Sequence, residues 1–206
     1  MTAASFAEAR EAIVAVGRWL DGKGWAPATA GNYSMRLDDG SFAVTVSGKH
    51  KGRLTYDDVM RVDRSGQSLD GKKPSAETAL HLHLYGLFPE CEAVLHSHSP
   101  GAVGMSRAFG FAHSIEFEGH EMLKTLPGID THDTEVALPI VENSQDMTVI
   151  CAGVEPALLA PAAIPAYLIR GHGLYGWGTS MAEAERVIEA IEWMIETERA
   201  ERIFRR

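Results

Sequence analysis

Two hydrophobic periodicities take turns along this chain, and that alternation most narrows the folds open to it. Ser5 can cap a helix in which Phe6, Ala9, Ile13, Val16 and Leu20 recur at helical spacing, ending near Gly22 to Gly24. SMRLDDGSFAVTVSG then switches to a period of two on either side of Asp39-Gly40, the pattern of a hairpin. Helical spacing returns in PSAETALHLHLYGLF, with Ala76, Leu80, Leu84 and Leu87 on one face, followed by a short strand, AVLHSHS, and a helix opened by Pro100. SIEFEG and EVALPIV have strand character, DMTVICAGVEPALL reads as a helix despite Pro156, and AYLIRGHGLYGWG reads as a strand running into a glycine-rich turn. TSMAEAERVIEAIEWMIETERAERI is a long amphipathic helix that turns Val187, Ile188, Ile191, Met194 and Ile195 inward. Such alternation predicts an α/β domain. With no repeat, low-complexity segment or linker to divide it, the expectation is one domain over residues 1–206.

Composition excludes several classes of function. The chain has 206 residues, 45% apolar and 23% charged, enough for one sizeable core in an ordinary soluble protein. No apolar run reaches the roughly 18 residues a membrane span needs. MTAASFAEAREAI carries acidic residues and no long apolar centre, so it does not read as a signal peptide. Cys91 and Cys151 form no CxxC, which points to reduced thiols and a cytoplasmic protein. A net charge of −9 argues against broad nucleic-acid binding, and an anionic substrate would need a local positive site.

Nine histidines include two His-x-His pairs. His81 and His83 lie in a helical pattern, where residues i and i+2 point to nearly opposite sides, so they read as one packing contact and one partly exposed residue. His96 and His98 lie in a strand pattern, where i and i+2 share a face, so they are either two hydrogen-bonded core residues or a metal-binding pair. A catalytic metal site usually has three protein ligands and one open position. The best third ligand is His172 in RGHG, because the flanking glycines allow a sharp turn and a close approach. His113, His120 and His132 stand in less constrained contexts and take no metal role.

A metal that polarises a carbonyl still needs a base beside it. Glu77 and Glu121 are candidates. Each also has a plain structural reading: Glu77 as first-turn helix charge, Glu121 as a solvated partner of Lys124 at i,i+3. Gly31-Asn32 in TAGNYS and Ser47-Gly48 in TVSGKHKGR, with Lys49, His50, Lys51 and Arg53 following, suit either a phosphate cradle or two polar turns with a basic run. Ser75 adds a donor at a helix start. No P-loop or dinucleotide fingerprint is present.

In this order, Gly31-Asn32, Ser47-Gly48, Pro74 to Glu77, His96 with His98, and Gly171 to Gly173 resemble the motifs of the zinc-dependent class II aldolase family over nearly the whole chain. The resemblance implies an α/β/α sandwich around a central, largely antiparallel sheet. It also implies one zinc ion per subunit on His96, His98 and His172, and a homotetramer with active sites at subunit interfaces. It assigns the substrate phosphate to Gly31, Asn32, Ser47, Gly48 and Ser75, with help from Lys51. Ala76 departs from the usual second serine and removes one hydroxyl there. EGHEMLK and YLIRGHGLYGWG resemble the methylthioribulose-1-phosphate dehydratase branch of the family. In that branch Glu121 matches the acid-base glutamate, whereas Glu77 matches the aldolase one. The branch implies dehydration of 5-methylthioribulose 1-phosphate to 2,3-diketo-5-methylthiopentyl 1-phosphate in methionine salvage. The alternatives are a sugar-phosphate aldolase or 4-epimerase acting on fuculose 1-phosphate or ribulose 5-phosphate, and a non-catalytic scaffold of the same fold. Trp177 and Met122 are candidates for an apolar pocket around the methylthio group.

Overall fold

The structure, a computed structural model, describes residues 4–205, so the first three residues of the N-terminal stretch lie outside it. Helix α1 (Phe6–Gly22) begins as its sequence dictates. The Ser5 hydroxyl accepts from the Glu8 N–H and the Glu8 carboxylate accepts from the Ser5 N–H, which satisfies two donors that a helix start leaves free. Strands β1 (Asn32–Arg36) and β2 (Phe42–Thr45) form the expected hairpin, with Ser34 opposite Val44 and Gly40 at φ 79° in the turn. Then follow β3 (Val59–Val62), α2 (Thr78–Leu87), β4 (Ala93–Ser97), α3 (Pro100–Ala108), β5 (Ser114–Glu118), β6 (Glu135–Val141), α4 (Met147–Leu158), β7 (Ala166–Ile169), β8 (Gly173–Gly178) and α5 (Met181–Phe204).

The eight strands form one sheet in the order β3-β2-β1-β4-β8-β7-β6-β5. Only β6 and β7 run parallel; every other neighbouring pair is antiparallel. Residues of α1, α3 and α5 share one apolar core with one face of the sheet, and residues of α2 and α4 share a second core with the other face. This is the expected α/β/α sandwich. β4 reads out the period-two rule directly: Ala93 and Leu95 enter the first core and Val94 the second. His96 therefore faces the α2/α4 side and Ser97 the α5 side.

Two expectations need correction, and one strand had not been foreseen. The glycine-rich stretch after β7 is not only a turn, because Gly173–Gly178 is a strand beside β4 at the centre of the sheet. Its glycines answer to close neighbours: a Cβ on Gly173 would lie 2.0 Å from the Ser97 carbonyl oxygen, and one on Gly176 would lie 2.9 Å from Ile188. The edge strand β3 carried no clear signal, being four residues between polar turns. Helix α2 starts at Thr78, with Glu77 at the cap position, so Ala76 lies before the helix and is exposed. Among the described residues no helix is long and apolar enough to cross a membrane, and Cys91 and Cys151 are both free.

Candidate active site

The two ends of β4 and β8 bring the third histidine to the first two. β4 delivers His96 and, just past its end, His98; the turn between β7 and β8 delivers His172. Glu77, at the start of α2, completes the group, and one ligand atom from each of the four lies within 4.8 Å of all the others. His96 Nε2 is 3.4 Å from His172 Nε2 and 3.4 Å from the Glu77 carboxylate, which is 3.2 Å from His172 Nε2. A tetrahedral shell with bonds of ~2.0–2.1 Å places its ligand atoms ~3.3–3.4 Å apart, so these separations suit a divalent metal such as zinc.

The protonation states suit one as well. His96 Nδ1 donates to the Leu174 carbonyl at 3.0 Å, which leaves the Nε2 lone pair facing the group. Burial pushes the His96 pKa well below its ordinary value, and burial with the nearby His172 pushes that of His98 down to about 4. Neutral imidazoles are the form that binds metal. Burial opposes ionisation of Glu77. The His172 hydrogen bond, the His96 and His172 rings and the Asn32 amide outweigh it and hold the carboxyl well below the usual range. Tyr175, on β8, stacks on His96 with centroids 4.0 Å apart and donates its hydroxyl to Glu77 at 3.2 Å. Its position opposite His96 in the register was invisible before β8 was recognised as a strand.

A cavity of about 270 Å³ adjoins this group, since Glu77 and His98 line it. Its other walls include Gly31, Asn32, Ser47, Gly48, Lys51 and Ser75, all six residues expected to meet a phosphate. Gly31 and Gly48 have φ of 82° and 73°, and a Cβ on Gly31 would lie 2.7 Å from the His96 carbonyl oxygen. Lys51 is only 2% exposed and donates to the carbonyls of Thr29 (2.8 Å) and Lys49 (2.6 Å). Burial pushes its pKa down to about 8, so it is the cation of this cavity and a readily titrated one. Lys49, in contrast, turns away to Asp58 at 2.8 Å.

The profile of the class II aldolase and adducin N-terminal domain matches residues 11–198. This chain belongs to that family. Among its relatives, the methylthioribulose-1-phosphate dehydratase of Methylococcus capsulatus is 48% identical over 186 residues, covering 90% of each chain. The protein of the same name from Pseudomonas fluorescens is 51% identical over 187 residues, 90% of this chain and 89% of the relative. Among solved structures, the L-fuculose-1-phosphate aldolase of Thermus thermophilus superposes with a TM-score of 0.73 at 27% identity, covering 97% of this chain and 98% of that one.

Not every candidate joins this site within one chain. Glu121 opens a short 3-10 turn (Glu121–Thr125) and is largely exposed; its carboxylate accepts from Lys124 at 2.8 Å and lies 3.5 Å from His132. That matches its plain structural reading and sets it apart from Glu77. His83 pairs with Glu155 at 2.9 Å, away from the metal group. His81 is the packing contact of that pair, buried with its ring against Asn32 and Ser34. Trp177 is a core residue 5.3 Å from Phe88, and Met122 packs against the other core, so neither lines the cavity. Sequence reading also missed Glu192 of α5, 1% exposed, which accepts from the hydroxyls of Ser97 and Ser99 at 3.1 and 2.5 Å. Its signal was a carboxylate placed one turn after Ile188 on the apolar face of that helix.

Proposed function

We propose that this chain is a metal-dependent dehydratase that converts 5-methylthioribulose 1-phosphate to 2,3-diketo-5-methylthiopentyl 1-phosphate and water, in methionine salvage in the cytoplasm. The observation that carries the reading is a His₃–Glu ligand group opening onto a phosphate-suited cavity, in a chain 48% and 51% identical to proteins bearing that enzyme's name. The proposal takes residues 1–206 as one domain with one site.

His96, His98 and His172 would hold a single zinc ion. When bound, it supplies electrophilic polarisation of the substrate's C2 carbonyl. Ser47, Gly48 and Ser75 donate to the phosphate oxygens, the Gly31-Asn32 backbone shapes the cavity wall, and the Lys51 ammonium supplies the opposing charge. Anchoring the phosphate there orients the carbon chain toward the histidines. Glu121 takes the proton from C3 and returns it to the departing C4 hydroxyl, which leaves as water; the resulting enol becomes the second ketone. The Glu121 carboxylate stands exposed in the single chain, and this reading requires it to serve the site of a neighbouring subunit in a homotetramer. Glu77 remains the anion beside the histidines.

One observation favours a second reading, a sugar-phosphate aldolase or 4-epimerase: Glu77, not Glu121, is the carboxylate at the histidines within one chain. Product analysis decides between them. Metal-loaded protein is incubated separately with 5-methylthioribulose 1-phosphate, fuculose 1-phosphate and ribulose 5-phosphate. Formation of the diketone from the first alone is the expected result. Aldol cleavage or epimerisation of the others without diketone formation would overturn the proposal.

A further inference from the structure

We propose that His81 and Asn32 are positioning residues for Glu77: a one-way chain of hydrogen bonds from the core fixes the Asn32 amide so that it always presents N–H to that carboxylate. Asn32 Nδ2 lies 2.5 Å from a Glu77 carboxylate oxygen, and Asn32 Oδ1 contacts His81 Nε2. His81 Nδ1 is 2.7 Å from the Ser34 hydroxyl, which is 2.8 Å from the Tyr85 hydroxyl. Each of Ser34, His81, Asn32 and Tyr85 is buried, so the groups have one another and little water.

The direction of every bond follows from its end. A carboxylate only accepts, so the Asn32 amide must turn its NH₂ to Glu77 and its oxygen to His81. His81 Nε2 must then carry hydrogen. Burial pushes the ring's pKa down to about 4, so the neutral ring offers Nδ1 as an acceptor, Ser34 donates to it, and Tyr85 donates to Ser34. The Tyr175 hydroxyl donates to the same Glu77 oxygen that Asn32 holds, while the other oxygen faces His172 at 3.2 Å. The carboxylate is thereby held against rotation. One N–H of the Asn32 amide is committed to Glu77 and its oxygen to His81, which leaves its second N–H and its backbone for any bound anion.

The turnover readout rests on the dehydratase reading; a spectroscopic readout does not. In metal-loaded enzyme, His81→Asn cannot reach Asn32 with its shorter side chain, whereas His81→Gln places an N–H near the former Nε2. His81→Asn should lower kcat roughly 10- to 100-fold, the scale of one lost hydrogen bond to a charged group, with KM little changed. His81→Gln should recover most of that loss. In an Asn32→Ala background His81→Asn should cost nothing further, because His81 acts through Asn32. Independently of any substrate, ¹⁵N spectra of histidine-labelled protein should contain a neutral Nε2–H ring that disappears in His81→Gln. Equal activities of the Asn and Gln variants, fully additive losses with Asn32→Ala, or an Nδ1–H form of His81 would each overturn the proposal. If the protein has no dehydratase activity, the ¹⁵N result still decides it.

Discussion

Replacing Glu192 by glutamine should change how the stability of this protein depends on pH. Glu192 is the only fully buried carboxylate among the described residues, held on α5 beneath the end of β4 that carries His96. Burial raises its pKa from 4.5 to about 7; the hydroxyls of Ser99 and Ser97 pull the other way, and the nearby Glu196 adds to the rise. The folded chain therefore binds this proton more tightly than the unfolded chain does. Its contribution is complete below about pH 4.5 and is lost as pH rises through about 7. At ~1.4 kcal/mol per pH unit, the interval amounts to ~3 kcal/mol, a large share of the stability of a typical domain. Glutamine keeps an oxygen for one serine and an N–H for the other, without the charge. Urea unfolding of the wild type and Glu192→Gln, in the same metal state, should be followed by tryptophan fluorescence from pH 4.5 to 8.5. The variant should gain ~3 kcal/mol on the wild type across that range, most of it before pH 7.5. A difference that stays flat within ~0.5 kcal/mol, or that turns against the variant as pH rises, would refute the reasoning.

Other substitutions test the site. His98→Ala should lose its metal on dialysis and His83→Ala should keep it, as elemental analysis can determine, because only His98 stands in the four-residue group. Ser47→Ala should weaken binding of inorganic phosphate by ~1.5–3 kcal/mol if its hydroxyl meets the anion, measured by calorimetry. In the wild type that affinity should fall as pH rises through about 8, where Lys51 loses its proton, and the fall should vanish in Lys51→Met. Glu121→Gln should slow dehydration about 10²–10⁴-fold with metal retained, and Glu77→Gln less. If instead Glu77→Gln abolishes exchange of the C3 proton with deuterated solvent and Glu121→Gln spares it, the two roles are reversed.

Much of this protein is written in short-range pattern. The Ser5–Glu8 box, the hairpin at Asp39-Gly40, Pro100 opening α3 and the apolar stripe of α5 each depend on residues within a turn or two of one another. The shared face of His96 and His98 follows from the pleat alone. The turns at Gly31 and Gly48 were legible too, since positive φ is what glycine permits. Tertiary structure decided the rest. Glycines at 173, 176 and 178 argue locally for a turn, yet they lie in a central strand paired with β4 and β7, where Ser97, Ile188 and Glu183 approach too closely for any Cβ. His172 meets His96 across 76 residues, and Asn32 meets His81 across 49, only after the sheet has set its register. Glu192 is marked in the sequence only by its place on the apolar face of α5, and its burial against Ser97 and Ser99 exists only once α5 packs on β4. Glu121 was expected to be an acid-base residue from the resemblance of its segment, yet it stands in solvent within one chain. The division has a physical cause. Backbone sterics and side-chain periodicity act between near neighbours and are encoded residue by residue. Which side chains lose water together, and so which groups shift their proton affinity or gather into a ligand set, depends on contacts between distant segments that exist only once the chain is packed.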